Sequence, residues 1–172
     1  MKNALRLISA GALLAAGLPL TALAQTITIN ATVNSQCNIG NATVNLGALN
    51  LAVQTNGPAT NISLTCNRGA TVSVALNDGT NGSSGQKRMR RLATTDYINY
   101  NISVPTISGT TTSCPTLPST EWNATNTLVA GPMFSANGGP RDLALCVSVP
   151  SGQFDVGVGA YTDVVTATLT VS

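Results

Sequence analysis

The chain has 172 residues and no histidine, and only 8% of them are charged, against roughly a quarter in an ordinary soluble domain. Without histidine there is no imidazole base, and the commonest transition-metal ligand is missing, which removes His-dependent triads and most zinc hydrolase designs. Aromatic residues are scarce too, with one Trp, three Tyr and two Phe, so a core must be built mainly from Val, Ile, Leu and Ala. The six acids, Asp78, Asp96, Glu121, Asp142, Asp155 and Asp163, are scattered through turn-like and strand-end contexts. They form no pair or cluster for acid–base or metal chemistry, and the chain carries neither a G-x-S-x-G elbow nor a phosphate-binding loop. These absences predict a protein that is not an enzyme and takes no cofactor and no metal.

At the N-terminus, Lys2 and Arg6 precede an apolar run from Leu7 to Leu20 that ends in Thr21-Ala22-Leu23-Ala24. This is the pattern of a secretory signal peptide over residues 1–24, cleaved between Ala24 and Gln25. The apolar run is too short to span a bilayer. Lys2 and Arg6 leave with the signal, so eight basic residues become six and balance the six acids. A neutral mature chain has no long-range field to steer it toward nucleic acid, and no nucleic-acid partner is expected. Four of the remaining basic residues gather at Lys87, Arg88, Arg90 and Arg91 without an interleaved aromatic, which reads as a solvated loop or a guard on a sheet edge, with a binding patch as the alternative.

Export also sets the meaning of the cysteines. Cys37, Cys66, Cys114 and Cys146 are an even set with no C-x-x-C spacing and no histidine to complete a zinc site, so two disulfides are expected. Three pairings are open. The preferred one joins nearest neighbours, Cys37 to Cys66 and Cys114 to Cys146, closing loops of roughly 30 residues worth about 3–4 kcal/mol each by loop entropy.

The mature chain alternates with period two almost throughout. Residues 26–34 place Ile27, Ile29, Ala31 and Val33 on one face and only Thr and Asn on the other, the cleanest strand pattern in the sequence. Further alternations put Ile62, Leu64 and Cys66 inward, then Val72, Val74 and Leu76, then Ile98, Tyr100, Ile102 and Val104. Others run through Leu143, Leu145, Val147 and Val149, and through Val165, Ala167, Leu169 and Val171. Turn signals such as Asn56-Gly57-Pro58, Asn77-Asp78-Gly79 and Asn137-Gly138-Gly139-Pro140 separate them. No segment carries a helical stripe with caps. Short strands with this punctuation predict an all-β, Greek-key sandwich. Cys146 is out of phase with Leu143 and Leu145, so a bond to Cys114 would lie on the outer face and pin the Pro-rich stretch 105–125. The segment 26–34 stands before Cys37 and is free, on the pattern alone, either to complete its own sheet or to serve another.

The chain resembles the spore coat protein U domain family, which supplies pilin subunits of archaic, Csu-type chaperone-usher pili. The matching features are the alternating segment before Cys37, Asn61-Ile62-Ser63-Leu64-Thr65-Cys66, and Tyr100-Asn101-Ile102. The most specific is the C-terminal pattern Val149-Pro150-Ser151-Gly152-Gln153 followed by Gly159-Ala160-Tyr161-Thr162-Asp163-Val164-Val165-Thr166. The resemblance implies an incomplete immunoglobulin-like sandwich that is completed by a donated strand. Residues 25–36 would be the N-terminal donor extension, with Ile27, Ile29, Ala31 and Val33 as the donated side chains. Residues 37–172 would be the sandwich domain, with Val165, Ala167, Leu169 and Val171 on the C-terminal strand lining the acceptor groove. It further implies a periplasmic chaperone, an outer-membrane usher and neighbouring pilin subunits as partners, and a place on the cell surface in a fibre used in adhesion and biofilm formation. A tip or ligand-binding adhesin, and a self-complemented secreted coat or matrix protein, are the alternatives.

Overall fold

Alternating residues become strands because each strand turns successive side chains to opposite faces, so one apolar set can be buried while the polar set stays in water. The computed structural model describes residues 28–116, 119–131 and 138–172. The expected signal peptide, its cleavage point at Ala24 and Gln25, and Ile27 lie outside the described residues. The chain divides into two units, Met1–Thr32 and Val33–Ser172. In the first, residues 28–32 are exposed and form no strand. The second holds all the strands among the described residues.

These are β1 (Cys37–Ile39), β2 (Thr55–Asn56), β3 (Thr60–Cys66), β4 (Val72–Leu76), β5 (Lys87–Arg91) and β6 (Tyr97–Ser103). They continue with β7 (Thr106–Ser108), β8 (Thr111–Ser113), β9 (Leu128–Ala130), β10 (Gly139–Val149), β11 (Tyr161–Thr162) and β12 (Ala167–Val171). One sheet runs β1-β3-β10-β6-β5-β11, with β2 beside the end of β10, and a second runs β12-β4-β9. Every pairing is antiparallel, and no helix occurs among the described residues. The chain passes from one sheet to the other between β3 and β4 and back again before β5, which gives an all-β sandwich of immunoglobulin-like, Greek-key type.

A single core fills the space between the sheets. Leu64 of β3, Val74 of β4, and Leu143 and Val149 of β10 are fully buried within it. Each such side chain contributes about 1.5–3 kcal/mol relative to exposure. The one tryptophan ties the two layers together. Trp122 is wholly buried; its backbone N–H donates to Ile102 O of β6 at 2.6 Å, and its indole Nε1 donates to Val74 O of β4 at 2.8 Å. A buried indole N–H needs such an acceptor, and this one lies on the opposite sheet.

The disulfides join Cys37 to Cys66, across the β1–β3 ladder, and Cys114 to Cys146. Cys146 alternates with Leu145 and Val147 on β10, so it sits on the strand face turned away from them. It is nevertheless only 9% exposed. The β7–β8 hairpin runs along the first half of β10, where the Thr112 hydroxyl donates to Asp142 O at 2.9 Å and accepts from Ala144 N at 2.7 Å. Cys114, immediately after β8, bonds Cys146 from there.

The basic cluster departs from expectation. Residues 87–91 are neither a loop nor an edge guard but strand β5, paired with β6 on one side and with β11 on the other. Alternation sends Lys87 inward, and it is fully buried. Its Nζ donates to Glu121 Oε1 at 2.9 Å and to Trp122 O at 2.7 Å, and the same Glu121 oxygen accepts from Ile102 N. A buried ammonium is tolerated only when its charge and its protons are matched. Removing one partner of such a pair costs about 3–5 kcal/mol, and since Glu121 is a quarter exposed, the expected loss for Glu121→Ala lies near the lower figure. Lys87→Met, which removes the buried charge and keeps the volume, is expected to cost less. Urea unfolding of the disulfide-intact variants checks that ordering.

Candidate functional site: the open edge of the last strand

Strand β12 is at the end of its sheet. It pairs with β4 from Ala167↔Leu76 to Val171↔Val72, and no described strand pairs with its other side. The attachment extends beyond the strand at both ends. Thr71 and Ser172 exchange backbone hydrogen bonds, Asn77 N donates to Thr166 O, and Thr80 N donates to Val164 O. Residues 164–172 are therefore held firmly along one edge, while the outward backbone groups of β12 are left for water or for another strand.

The side chains follow the same one-sided plan. Val165, Ala167, Leu169 and Val171 are half-buried against the core, and Thr166, Thr168 and Thr170 are exposed. Their neighbours on β4, Val72, Val74 and Leu76, are 2% exposed or less. The difference is what a strand with covering on only one side produces. Segment 40–54 contains no strand, although Val44, Leu46, Leu49 and Leu51 pack half-buried against the core. Between this segment and the 156–161 loop lies a groove of about 560 Å³ that reaches Met89 and Ile98 of the main sheet.

Two side-chain networks fix the approaches to this region. Tyr100 of β6 donates its hydroxyl to Asp163 Oδ2 at 2.7 Å, and Asn81 donates to Asp163 Oδ1 from both its backbone and its side chain at 3.1 Å. Burial, then the hydrogen bond to Asp163 and the nearby carboxylate charge, push the Tyr100 phenol far above its ordinary range, so it stays a protonated donor at any physiological pH. Asp163 thereby anchors the lead-in to β12. At the groove wall, Arg91 pairs with Asp96 at 2.7 Å and donates to Val158 O at 2.9 Å, while Gly157 N donates to Asp96. A Cβ at Gly157 would stand 2.7 Å from the Arg91 guanidinium carbon and 2.8 Å from Asp96 Oδ2, so a side chain there has to displace this ion pair.

The segment expected to be the donor has a different character. Ile29 is 89% exposed and Val33 83%, and Ala31 is exposed as well. No strand occurs in residues 28–36, so the strongest alternation in the sequence carries no ladder among the described residues. The site thus consists of a half-covered apolar strand with a free hydrogen-bonding edge, and the chain separately carries an uncovered alternating segment. The free backbone donors and acceptors of such an edge are of the kind an extended strand can pair with. Its first element was legible from alternation. The networks of Asp163 with Asn81 and of Arg91 with Asp96 were not, because polar residues in turns carry no period that announces their partners.

The family model described as Spore Coat Protein U domain matches residues 23–168. No curated protein matches the chain in sequence. Among solved structures, it is similar to a chain in the crystal structure of the CsuC–CsuE chaperone–tip adhesion subunit pre-assembly complex from the archaic chaperone-usher Csu pili of Acinetobacter baumannii. The identity is 18% and the TM-score 0.46, over 80% of this chain and 40% of that one, so the chain spans less than half the length of that neighbour.

Proposed function

The chain belongs to the spore coat protein U domain family, and from that premise we propose that it is a structural subunit of a chaperone-usher pilus. It polymerises by donor-strand complementation, in which the N-terminal segment of one subunit completes the sandwich of the next. The observation that carries this reading is a complementary pair within one chain. The alternating, exposed Ile29, Ala31 and Val33 stand on one segment, and the half-covered face of Val165, Ala167, Leu169 and Val171 stands on a strand with a free edge.

The physical terms favour a durable joint. Nine extended residues, 26–34, reach roughly 30 Å, about the length of a sandwich strand. Their backbone groups close an edge that otherwise invites aggregation. Burial of Ile27, Ile29 and Val33 contributes on the order of 1.5–3 kcal/mol each, and Ala31 adds less. Before assembly the same edge needs a temporary occupant, which is the role of a periplasmic chaperone, and an outer-membrane usher is the place of exchange. The finished fibre lies on the cell surface and serves adhesion and biofilm formation. No step of this function requires catalysis.

The test is the association state of the exported chain with and without its chaperone, read by size-exclusion chromatography and electron microscopy. The expected result is poor recovery alone, a one-to-one complex with the chaperone, and fibres once the chaperone is withdrawn. A stable monomer in both arms would mean that residues 26–34 complete their own sheet or that the groove serves some other ligand.

A further inference from the structure

Asn67 stands where β3 ends, and its side chain does something its backbone cannot. The β1–β3 ladder runs from Ile39↔Leu64 to Cys37↔Cys66, and Asn67 N extends it by donating to Gln36 O at 3.0 Å. Beyond that point the chain turns away, with Ala70 N donating to Asn67 O and Gly69 at a φ of 79°. The ladder should stop there. Instead, the Asn67 carboxamide takes the place of the next peptide group. Its Oδ1 accepts from Gln36 N at 2.9 Å, and its Nδ2 donates to Asn34 O at 2.8 Å. An asparagine side chain has the donor and acceptor of a peptide in one plane, so it can satisfy both. The Cys37–Cys66 bond lies one residue away and holds the two strands together at this point.

We propose that Asn67 is the positioning residue that fixes where the N-terminal segment departs from its own domain. This trims the 26–34 segment by its last residue: from Asn34 onward the chain belongs to the subunit's own sheet edge, and residues up to Val33 are the part free to pair elsewhere. Val33 is 83% exposed, and Asn34 is the first residue that the carboxamide holds. This rests on the pilus-subunit reading for its consequence: in a fibre, the Asn67 amide shortens the flexible link between subunits and so sets the stiffness of each joint.

The experiment uses the full mature chain carrying Asn67→Ala or Asn67→Asp. Hydrogen exchange at the Gln36 amide, measured on the chaperone-bound subunit, is expected to quicken by about fivefold or more in Asn67→Ala, the effect of losing one net hydrogen bond. In Asn67→Asp it is expected to stay near the wild-type rate, because an oxygen is still offered to Gln36 N while the donor to Asn34 is lost. In electron micrographs of fibres, both variants are expected to form fibres with a broader distribution of angles between successive subunits. Unchanged exchange at Gln36 in Asn67→Ala overturns the proposal. So does faster exchange together with an unchanged angular distribution, which leaves Asn67 a local turn residue only. If wild-type subunits form no fibres, the pilus reading fails by itself, and the same exchange measurement on the stable monomer still decides whether the clamp exists.

Discussion

Ile29→Asp is expected to abolish fibre formation while leaving the folded domain and its one-to-one chaperone complex intact. The reasoning turns on two environments for one side chain. In the free chain Ile29 is 89% exposed, so a carboxylate there costs the subunit nothing measurable. In the donated state the same position enters an apolar groove. The joint then loses the 1.5–3 kcal/mol or so of a buried isoleucine and must desolvate an unpaired charge at a further cost of several kcal/mol. Each 1.4 kcal/mol is a factor of about ten, so the joint weakens by about a thousandfold or more. Chromatography of the complex and electron microscopy after chaperone withdrawal separate the two effects. Full-length fibres from the variant would remove residues 26–34 as the donor.

The inward-facing sets of three strands could be read directly from period two. Ile62, Leu64 and Cys66, then Val72, Val74 and Leu76, then Ile98, Tyr100 and Ile102 are all buried in the core. Strand β5 was hidden because four basic residues in five positions mask the alternation, and an inward lysine makes sense only with a carboxylate 34 residues away. The β7–β8 hairpin was hidden for the opposite reason. Five of its six paired positions are Thr or Ser, so neither face is marked as apolar. Alternation also failed to say that residues 28–34 would be without a ladder, since a period identifies a face and not the sheet it will join. Likewise, Val165 to Val171 announced an alternating strand, but that β12 has a neighbour on one side only follows from topology.

Low charge acquires a physical role once these positions are known. Lys87 with Glu121 and Arg91 with Asp96 spend four of the few charges inside the subunit. The β12 edge is flanked by Thr166, Thr168 and Thr170 on the outside, and the residues presented by segment 28–34 are Asn, Thr and aliphatics. Two copies of a neutral edge can approach without like-charge repulsion, and the hydroxyls remain soluble in the interval before pairing. In the proposed joint the same neutrality would leave register to be set by shape, through the match of Ile29, Ala31 and Val33 to the groove.

Leu169→Asp is expected to give the converse defect, losing the chaperone complex and the ability to accept a donated strand while keeping the ability to donate. Leu169 lies opposite Val74, which is completely buried, and is itself half-buried with its apolar face packed against the core, on the strand whose other edge is open. A carboxylate at this point is uncomfortable in the free subunit and worse once any strand covers it, so both occupants of the groove are excluded by the same group. Thr168→Asp and Thr170→Asp, on the exposed face of the same strand, serve as controls and are expected to assemble as wild type. Mixing makes the contrast sharper. Added in small amounts to wild-type subunits, Ile29→Asp can accept but not donate and Leu169→Asp can donate but not accept, so each caps fibres at the opposite end and shortens them. Mixed with each other, the two should form pairs and nothing longer. Secretion of stable monomeric Leu169→Asp at wild-type yield, with normal chaperone binding, would show that β12 does not border the acceptor groove.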